Sequence, residues 1–313
     1  MSRWTASDMP DLHGKTVLVT GANAGLGLAT VQAFAARRAT VVMACRDRGK
    51  AERARDGVLQ AQPDARLELL DLDLADLGSV QRAAERFRAQ HDALDILCNN
   101  AGVLGLPLRH TRDGFEMLFG VNHLGHFAFT AHLLPALRQA AAARVVTVSS
   151  ITHRRARLPM DDLNWVARPY RKAAAYGQSK LANLLFMREL HRRLQVAGLP
   201  VRSVAAHPGI AATEIADNMG ALLPKALQPL WKYVIAINNR TLAQPAAMGV
   251  LPTLFAATDE TVEGGALYGP DGWFQIRGYP KPVQPSARAC DDALGRALWT
   301  QSEALTGVTW AFA

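Results

Sequence analysis

The chain has 313 residues, of which 49% are hydrophobic, enough for one large α/β domain or two small ones. The formal net charge is +8, but the basic residues are scattered and form no tail, so we do not expect the protein to bind nucleic acid. No run of about 18 apolar residues occurs, which argues against a membrane span.

The N-terminal segment and the cysteines indicate where the protein resides. Residues 1–15 have no apolar core, so no signal peptide or membrane anchor is predicted. Cys45, Cys98 and Cys290 lie far apart and match no metal-ligand spacing. We therefore expect reduced thiols, no metal site and a cytoplasmic location.

Short apolar runs alternate along the chain with longer helical patterns, which is typical of a parallel sheet covered on both faces. The predicted strands are Thr16–Thr20, Thr40–Ala44, Arg66–Asp71, Leu94–Asn99, Arg144–Ser149, Val201–Ala206 and Ala266–Gly269. The predicted helices are Gly25–Arg37, Arg48–Gln60, Leu77–His91, Thr111–Ala140, Lys172–Ala197 and Thr241–Ala257. We predict an α/β fold, a doubly wound parallel sheet of about seven strands with helices on both faces.

No repeat or linker divides this pattern, so we predict a single domain, residues 1–313. Residues 280–313 follow the last predicted strand. They are predicted to form a C-terminal extension, with a loop and a helix at Ser286–Thr306.

A glycine-rich turn joins the first predicted strand to the first predicted helix. It reads Gly21-Ala22-Asn23-Ala24-Gly25-Leu26-Gly27. Glycines let the backbone approach a pyrophosphate, and a helix N-terminus offers free N–H groups to its oxygens. The alternative is an ordinary strand-to-helix turn, which also favours glycine. The context favours a dinucleotide site at Gly21, Asn23, Gly25, Leu26 and Gly27.

The end of the second predicted strand bears on which dinucleotide binds. An acidic residue about 20 positions past the glycines binds the ribose 2′-hydroxyl of NAD. Here Cys45 stands at that place and Arg46 follows. A guanidinium matches a phosphate, so Arg46 favours NADP(H) over NAD(H). The alternative is a solvated arginine with Asp47 as the acid, which gives an NAD-preferring enzyme.

Tyr176 and Lys180 are four residues apart, about one turn of the helix predicted around them. A phenol ordinarily keeps its proton to a pH of about 10. A neighbouring cation favours the phenolate, so we expect Lys180 to lower the pKa of Tyr176 and enable proton exchange near neutrality.

Four motifs occur in the order of the short-chain dehydrogenase/reductase family, which the chain resembles from about Asp11 to at least Gly269. They are Thr20-Gly21-xxx-Gly25-x-Gly27, Asn99-Asn100-Ala101-Gly102, Ser150 and Tyr176-xxx-Lys180. The branch it is most similar to contains the retinol dehydrogenases and their bacterial relatives. The residues that indicate this branch are Ala44-Cys45-Arg46-Asp47, Asn122-His123-Leu124-Gly125-His126-Phe127 and Ser179-Lys180-Leu181-Ala182-Asn183. The resemblance implies a Rossmann-type fold.

The resemblance also implies a catalytic set of Asn122, Ser150, Tyr176 and Lys180. Ser150 would bind the substrate oxygen, with Ser149 as the neighbour it could be confused with. Tyr176 would exchange a proton with the substrate, and Lys180 would also bind the nicotinamide ribose. Asn122 would hold a water against Lys180.

Further cofactor-binding residues are implied by the resemblance. Asp73 would help hold the adenine, and its structural alternative is a cap for the following helix. Asn100, Ala101 and Gly102 would let the cofactor lie close to the backbone. The residues expected near the nicotinamide are Pro208, Gly209 and Thr213.

Two further segments have open interpretations. Residues 153–171 separate Ser150 from Tyr176 and either border the substrate mouth or form a solvated loop. Residues at about 210–240 are apolar and broken by prolines, which suggests a substrate lid, with core filling, a subunit interface or membrane-surface docking as alternatives. His123 and His126 are three residues apart, but packing is favoured over a metal site there.

The expected function is NADP(H)-dependent interconversion of an alcohol and its ketone or aldehyde, on a lipophilic small molecule. The alternative from another class is a catalytically silent NADP(H)-binding sensor or scaffold. By resemblance, we expect a homodimer or homotetramer that pairs through the helix carrying Tyr176 and Lys180.

Overall fold

The strands of the computed structural model lie in one sheet, and the structure describes residues 3–209 and 244–312. The strands are β1 Thr16–Thr20, β2 Thr40–Cys45, β3 Arg66–Asp71, β4 Ile96–Asn99, β5 Ala143–Val148, β6 Val201–Ala206, β7 Leu267–Pro270 and β8 Pro280–Val283. The helices are α1 Gly25–Ala35, α2 Arg48–Ala61, α3 Leu77–Gln90, α4 Met117–Phe119, α5 Gly125–Gln139, α6 Lys172–Val196, α7 Ala246–Gly249, α8 Leu251–Thr258 and α9 Asp292–Thr306. A π-helical turn, Gly120–Leu124, joins α4 to α5.

The strand order is β3-β2-β1-β4-β5-β6-β7-β8. Neighbouring strands from β3 to β7 are parallel. The order reverses between β1 and β4, and in such sheets ligands bind outside the carboxyl ends of the strands at that point. The predicted doubly wound α/β fold is confirmed.

The sheet has eight strands among the described residues, one more than the sequence suggested. The additional strand, β8, pairs antiparallel with β7 at the edge of the sheet. Pro280 and Pro282 lie within it, and proline cannot donate to a ladder. The sequence predicted a loop for this stretch, but the structure places an edge strand here, where prolines are tolerated.

Alternate strand residues bury opposite faces of the sheet. Leu18, Val42 and Leu97 pack with α3, α5 and part of α6 on one face. Val17 and Val41 pack with α1, α2 and α8 on the other. Both faces of the sheet are therefore covered by apolar side chains, so polar functional groups are expected at the ends of the strands.

Three predicted helices differ from the structure by more than two residues at one end or are interrupted. The helix predicted from Thr111 begins at Met117, because the Glu116 carboxylate accepts hydrogen bonds from the N–H groups of Leu118 and Phe119. The helix predicted from Ser286 begins at Asp292, where the preceding aspartate caps it. Of the helix predicted at Thr241–Ala257, the first residues lie outside the described part of the chain, and the rest forms α7 and α8.

Candidate active site

A cleft of about 910 Å³ opens at the carboxyl ends of the strands, where the strand order reverses. Its lining includes every predicted site residue except Asn122 and Thr213. These lining residues are Gly21, Asn23, Gly25, Leu26, Gly27, Arg46, Asp73, Asn100, Ala101, Gly102, Ser150, Tyr176, Lys180, Pro208 and Gly209. Asn122 lies directly behind the wall, whereas Thr213 falls outside the described residues.

The glycine-rich turn needs its glycines for conformation and for space. Gly21 and Gly25 have positive φ values of 65° and 52°, which side-chain-bearing residues rarely adopt. A Cβ atom on Gly27 would lie 2.1 Å from the carbonyl oxygen of Gly21 and 2.7 Å from Nδ2 of Asn100. The first turn of α1 therefore packs closely against the end of β1, and its glycines leave parts of the cleft wall without side chains.

At the end of β2, the groups next to Arg46 are engaged and Arg46 is not. The buried Cys45 thiol accepts hydrogen bonds from backbone N–H groups of the glycine turn, and burial raises its pKa to about 11. Asp47 caps α2 by accepting from the N–H of Lys50 at 3.0 Å. Arg48 pairs with acidic side chains of α2 and β3. Arg46 is exposed, lines the cleft and has no ion pair among the described residues.

Asp73 lies after β3 and is half-buried at the cleft. Its carboxylate accepts a hydrogen bond from the N–H of Ala75 at 3.0 Å. The cap of α3 is Asp76, which accepts from the N–H of Ser79 at 3.1 Å. The alternative that Asp73 caps this helix was therefore wrong.

The threonine that ends β1 organises the segment after β4. Thr20 Oγ1 accepts hydrogen bonds from the N–H groups of Asn100 and Ala101, at 3.0 and 2.9 Å. Asn100 Nδ2 donates to the carbonyl oxygen of Thr20 at 2.8 Å. Thr20 Oγ1 also lies 2.9 Å from His126 Nε2. No local sequence pattern predicts this role for Thr20 or His126, because the two residues lie far apart in the chain.

His126 Nδ1 lies 3.1 Å from the carbonyl oxygen of Asn122, which can only accept, so Nδ1 carries the proton and donates. Nε2 then accepts from the Thr20 hydroxyl. Burial lowers the pKa of His126 to about 4, consistent with a neutral ring. His123 instead contacts Ser302 of α9 at 2.9 Å. Each imidazole thus has its own hydrogen-bond partner, as the packing interpretation expects.

Tyr176 and Lys180 lie one turn apart on α6, as predicted. The ammonium of Lys180 is 5.7 Å from the centre of the Tyr176 ring and donates to the carbonyl oxygen of Val148 at 3.0 Å. Burial lowers the pKa of Lys180 to about 8.

Burial raises the pKa of Tyr176 to about 12, while a hydrogen bond with Ser150 lowers it. The expectation that Lys180 brings this pKa down toward neutrality was therefore wrong for the protein alone. The reason is that the phenol is withdrawn from water, an effect the helical spacing does not reveal.

The two serines after β5 have different surroundings. Ser149 is buried, and its hydroxyl donates to the carbonyl oxygen of Lys180 at 2.8 Å, which ties β5 to α6. Ser150 is half-buried at the cleft and is the serine that contacts the Tyr176 phenol. The geometry thus separates the structural serine from the one available to a ligand.

Asn122 occupies the π-helical turn, a distortion that often marks functional sites. Its side chain is fixed on three sides. Oδ1 accepts from the N–H of Val103 at 2.8 Å, and Nδ2 donates to the Val103 carbonyl and to Ser179 Oγ at 3.0 and 2.9 Å. A Cβ atom on Gly102 would lie 3.3 Å from Asn122 Oδ1 and 3.5 Å from Lys180 Nζ. The absence of a side chain there keeps the wall in front of Lys180 open.

The segment after β6 is held by a buried histidine. His207 Nδ1 accepts from the N–H of Gly209 at 3.3 Å, and Nε2 contacts Gln275 Oε1 at 3.0 Å. Gly209 has a positive φ of 68°, and a Cβ atom there would lie 2.2 Å from the Ile276 carbonyl oxygen. The backbone of Pro208 and Gly209 is therefore fixed at the cleft, and Gly209 adds no side chain to it.

Residues 153–171 are less solvated than the loop interpretation expected. Trp165 is buried, with the Arg168 guanidinium 3.6 Å from the centre of its ring. Tyr170 donates to the buried Glu116 carboxylate at 2.9 Å. This segment packs on α4 and α6 through its aromatic residues, while Arg154, Arg155 and Arg157 remain exposed.

The cleft fits a dinucleotide. A glycine-rich wall at the first turn suits a pyrophosphate, and the guanidinium at the end of β2 has no ion pair among the described residues. A phenol, a hydroxyl and an ammonium lie together across the cleft. Of the helices within the described ranges, none is both long and apolar enough to cross a bilayer.

Comparison with known proteins agrees with this geometry. The family model for short chain dehydrogenases matches residues 15–222. Retinol dehydrogenase 13 of Homo sapiens is 38% identical over 301 residues, which cover 95% of this chain and 86% of that protein. Retinol dehydrogenase 12 of Mus musculus is 40% identical over 300 residues, which cover 96% and 88%. A crystal structure of a putative uncharacterized protein from Mycobacterium paratuberculosis is 41% identical, with a TM-score of 0.81, and the match covers 99% of this chain and 100% of that one. This chain therefore belongs to the short-chain dehydrogenase/reductase family and is an oxidoreductase that acts on CH–OH groups with an NAD(P) cofactor.

Proposed function

We propose that the protein is an NADP(H)-dependent carbonyl reductase and alcohol dehydrogenase that acts on lipophilic small molecules. The observation that carries the proposal is the meeting of Ser150, Tyr176 and Lys180 on the wall of the dinucleotide cleft. The bound nicotinamide supplies the hydride in reduction and accepts it in oxidation. The residues of the chain hold the substrate and move its proton.

In reduction, the Tyr176 hydroxyl donates its proton to the substrate oxygen while the Ser150 hydroxyl binds that oxygen. With a pKa of about 12, the phenol is protonated at neutral pH, so the protein alone is prepared to donate a proton. Lys180 binds the nicotinamide ribose, and Asn122 holds a water against Lys180, which completes a proton path.

NADP(H) preference is supported by the surroundings of Arg46. Asp47, the candidate reader of a ribose hydroxyl, is engaged as the cap of α2. Arg46 lines the cleft with its guanidinium unpaired among the described residues, so a phosphate is the partner that suits it. Asp73 lies on the same part of the wall and serves the adenine. Thr213 is proposed from sequence alone to contact the nicotinamide end.

The proposal of a lipophilic substrate rests on the apolar segment at about 210–240, which we propose as a lid, and on the names of the retinol dehydrogenases among the relatives. We further propose a single dinucleotide-binding domain in a cytoplasmic protein. A homodimer or homotetramer is proposed from the resemblance. Since α9 packs on α6, subunits would have to pair through the part of α6 that α9 leaves free.

The test is Tyr176→Phe, assayed with NADPH and NADP⁺ on a panel of lipophilic ketones, aldehydes and alcohols. Loss of the acid/base group is expected to lower kcat by about 10²–10⁴ while NADPH binding stays unchanged. Tyr268→Phe is the matched control, because its hydroxyl lies at β7, where it accepts from the N–H of Glu263. A wild type that binds NADPH but turns over nothing would support the sensor or scaffold alternative instead.

A further inference from the structure

Two large aromatic side chains project into solvent from the loop between β7 and β8. Trp273 is 84% exposed and Phe274 is 60% exposed, and their ring centres lie 4.6 Å apart. Other exposed large apolar residues in the described ranges stand singly, as Val166 and Val196 do. Two adjacent rings that stay exposed to water do not gain the favourable free energy of burial. Such a pair therefore indicates that the rings bind another molecule or surface.

The loop holds these rings outward by its backbone. Phe274 and Gln275 have positive φ values of 51° and 59°, which are uncommon for residues with side chains. The base of the loop is closed by hydrogen bonds in both directions between Asp271 and Tyr279, at 2.7 and 2.8 Å. A strained backbone persists where the surrounding structure enforces it. The conformation of Phe274 and Gln275 is therefore fixed by the fold. We call residues 271–281 the aromatic hairpin.

The aromatic hairpin carries positive charge around its rings. Lys281 is exposed on it, and the Arg3 guanidinium lies 5.0 Å from the centre of the Tyr279 ring. One carboxylate, that of the exposed Asp271, lies on the hairpin and accepts from the N–H of Tyr279, so the cations outnumber it. This surface therefore fits a partner that has an apolar interior to receive the rings and negative charges at its surface to pair with the cations.

The contact area decides between a protein and a lipid surface. Two aromatic side chains cover roughly 300–500 Å², less than the roughly 800 Å² per partner of a stable protein interface. Peripheral membrane contacts need less, because Trp and Phe insert at the headgroup level while Lys and Arg attract anionic lipids. We propose that the aromatic hairpin docks the protein on the surface of an anionic lipid bilayer.

The aromatic hairpin also lies beside the cleft. Gln275 Oε1 contacts His207 at 3.0 Å, and the carbonyl of Ile276 lies against Gly209, which lines the cleft. Docking therefore brings the Gly209 side of the cleft close to the bilayer. Given the proposed function, on which this consequence rests, lipophilic substrates enter from the membrane.

The test is co-sedimentation of the full chain with vesicles of phosphatidylcholine alone and of phosphatidylcholine with phosphatidylglycerol. Binding is expected to the anionic vesicles, and to weaken as salt is added. Trp273→Ser with Phe274→Asn should weaken it by about tenfold or more. Asn is chosen because it tolerates the left-handed backbone at this position. Lys281→Ala should weaken it by a smaller factor.

Val196→Ser and Arg296→Ala are the matched controls, since both residues are exposed on helices and neither of them lines the cleft. Their variants should sediment as the wild type does, and NADPH binding without vesicles should be unchanged in all variants. Failure of the wild type to sediment with anionic vesicles would overturn docking, as would equal binding by the double variant. A change of oligomeric state in the double variant would instead identify the hairpin as a subunit contact. Turnover of the substrate panel without vesicles tests the proposed function separately.

Discussion

The ammonium of Lys180 donates to the carbonyl oxygen of Val148 at 3.0 Å, so this lysine is anchored to the last residue of β5. Asn183 donates to the same oxygen at 3.2 Å. Two donors from α6 on one strand-end carbonyl fix this helix against the sheet. Burial of the ammonium at this position lowers the pKa of Lys180 to about 8.

This lowered pKa predicts how stability changes with pH. The unfolded chain keeps this proton up to its ordinary pKa of 10.5, whereas the folded protein releases it near 8. Between these values the unfolded state binds more protons, so the free energy of unfolding contributed by Lys180 rises with pH. The difference of 10.5 − 8 corresponds to about 3 kcal/mol at 1.36 kcal/mol per pH unit.

Urea unfolding of the wild type and Lys180→Met between pH 7 and 10.5 measures this contribution. The wild type should gain about 3 kcal/mol relative to the variant across the interval above pH 8. Lys172→Met, at the exposed start of the same helix, should follow the wild-type curve. Parallel curves for wild type and Lys180→Met would show that Lys180 keeps its ordinary pKa in the fold.

Arg46→Ala tests the cofactor assignment. Removing a charge-assisted contact to the 2′-phosphate should weaken NADPH binding by about 10- to 100-fold, because such bonds contribute about 1.5–3 kcal/mol. NADH binding should not change, since NADH lacks that phosphate. Titration of both cofactors by protein fluorescence measures the two affinities.

Arg48→Ala is the control for this experiment. Arg48 lies two residues away but is paired with Glu52 at 3.0 Å and Asp71 at 3.4 Å. Its removal should change neither affinity by more than about twofold, which corresponds to the small effect of an exposed ion pair. Equal losses of NADPH and NADH affinity in Arg46→Ala would mean that Arg46 does not read the phosphate.

Most of this site could be predicted from the sequence because its residues sit in short local patterns. The glycine turn, the pair Tyr176 and Lys180, and Ser150 are each defined by neighbours within a few positions. Strand bounds followed from β-branched runs for the same reason. The family resemblance supplied the order of the motifs and hence the doubly wound sheet.

What the sequence did not reveal depends on contacts between distant segments. Thr20 contacts His126 across 106 positions, and Ser302 reaches His123 across 179. The pKa of Tyr176 was missed because burial is a property of the folded chain. The strand β8 was missed because its prolines are permitted only at an edge, and the edge is set by the whole sheet.

Thr20→Val tests the contacts that organise the β4 end. Valine keeps the shape but removes the oxygen that accepts from the N–H groups of Asn100 and Ala101. The N–H of Asn100 still donates to the carbonyl oxygen of Cys98 at 2.9 Å, so the half-buried N–H of Ala101 is the donor that loses its partner. This loss should cost about 1–3 kcal/mol in the free energy of unfolding. NADPH affinity should fall as well, because the same two residues line the cleft. Urea unfolding and fluorescence titration measure the two effects.

Thr147→Val makes the same chemical change at a site where the free energy of unfolding is not expected to fall. Thr147 is buried in β5, and its hydroxyl has no hydrogen-bond partner in the described part of the chain. Replacing an unsatisfied hydroxyl with a methyl group should leave stability unchanged or raise it by about 1 kcal/mol. A similar loss in both variants would show that the Thr20 contacts contribute nothing beyond the β-branched shape.

The C-terminal extension should contribute strongly to stability through one side chain, Trp310. Its ring lies 4.7 Å from Trp299 and 5.3 Å from Phe127, measured between ring centres, and only 7% of it is exposed. Trp310→Ala should lower the free energy of unfolding by about 3–5 kcal/mol, because it leaves a large cavity over α5 and α6. Trp273→Ala is the same substitution at a site that is 84% exposed, so its effect should stay within about 0.5 kcal/mol. Urea unfolding of the two variants gives the comparison. Equal effects would mean that the residues after α9 do not pack on the helix that carries Tyr176 and Lys180.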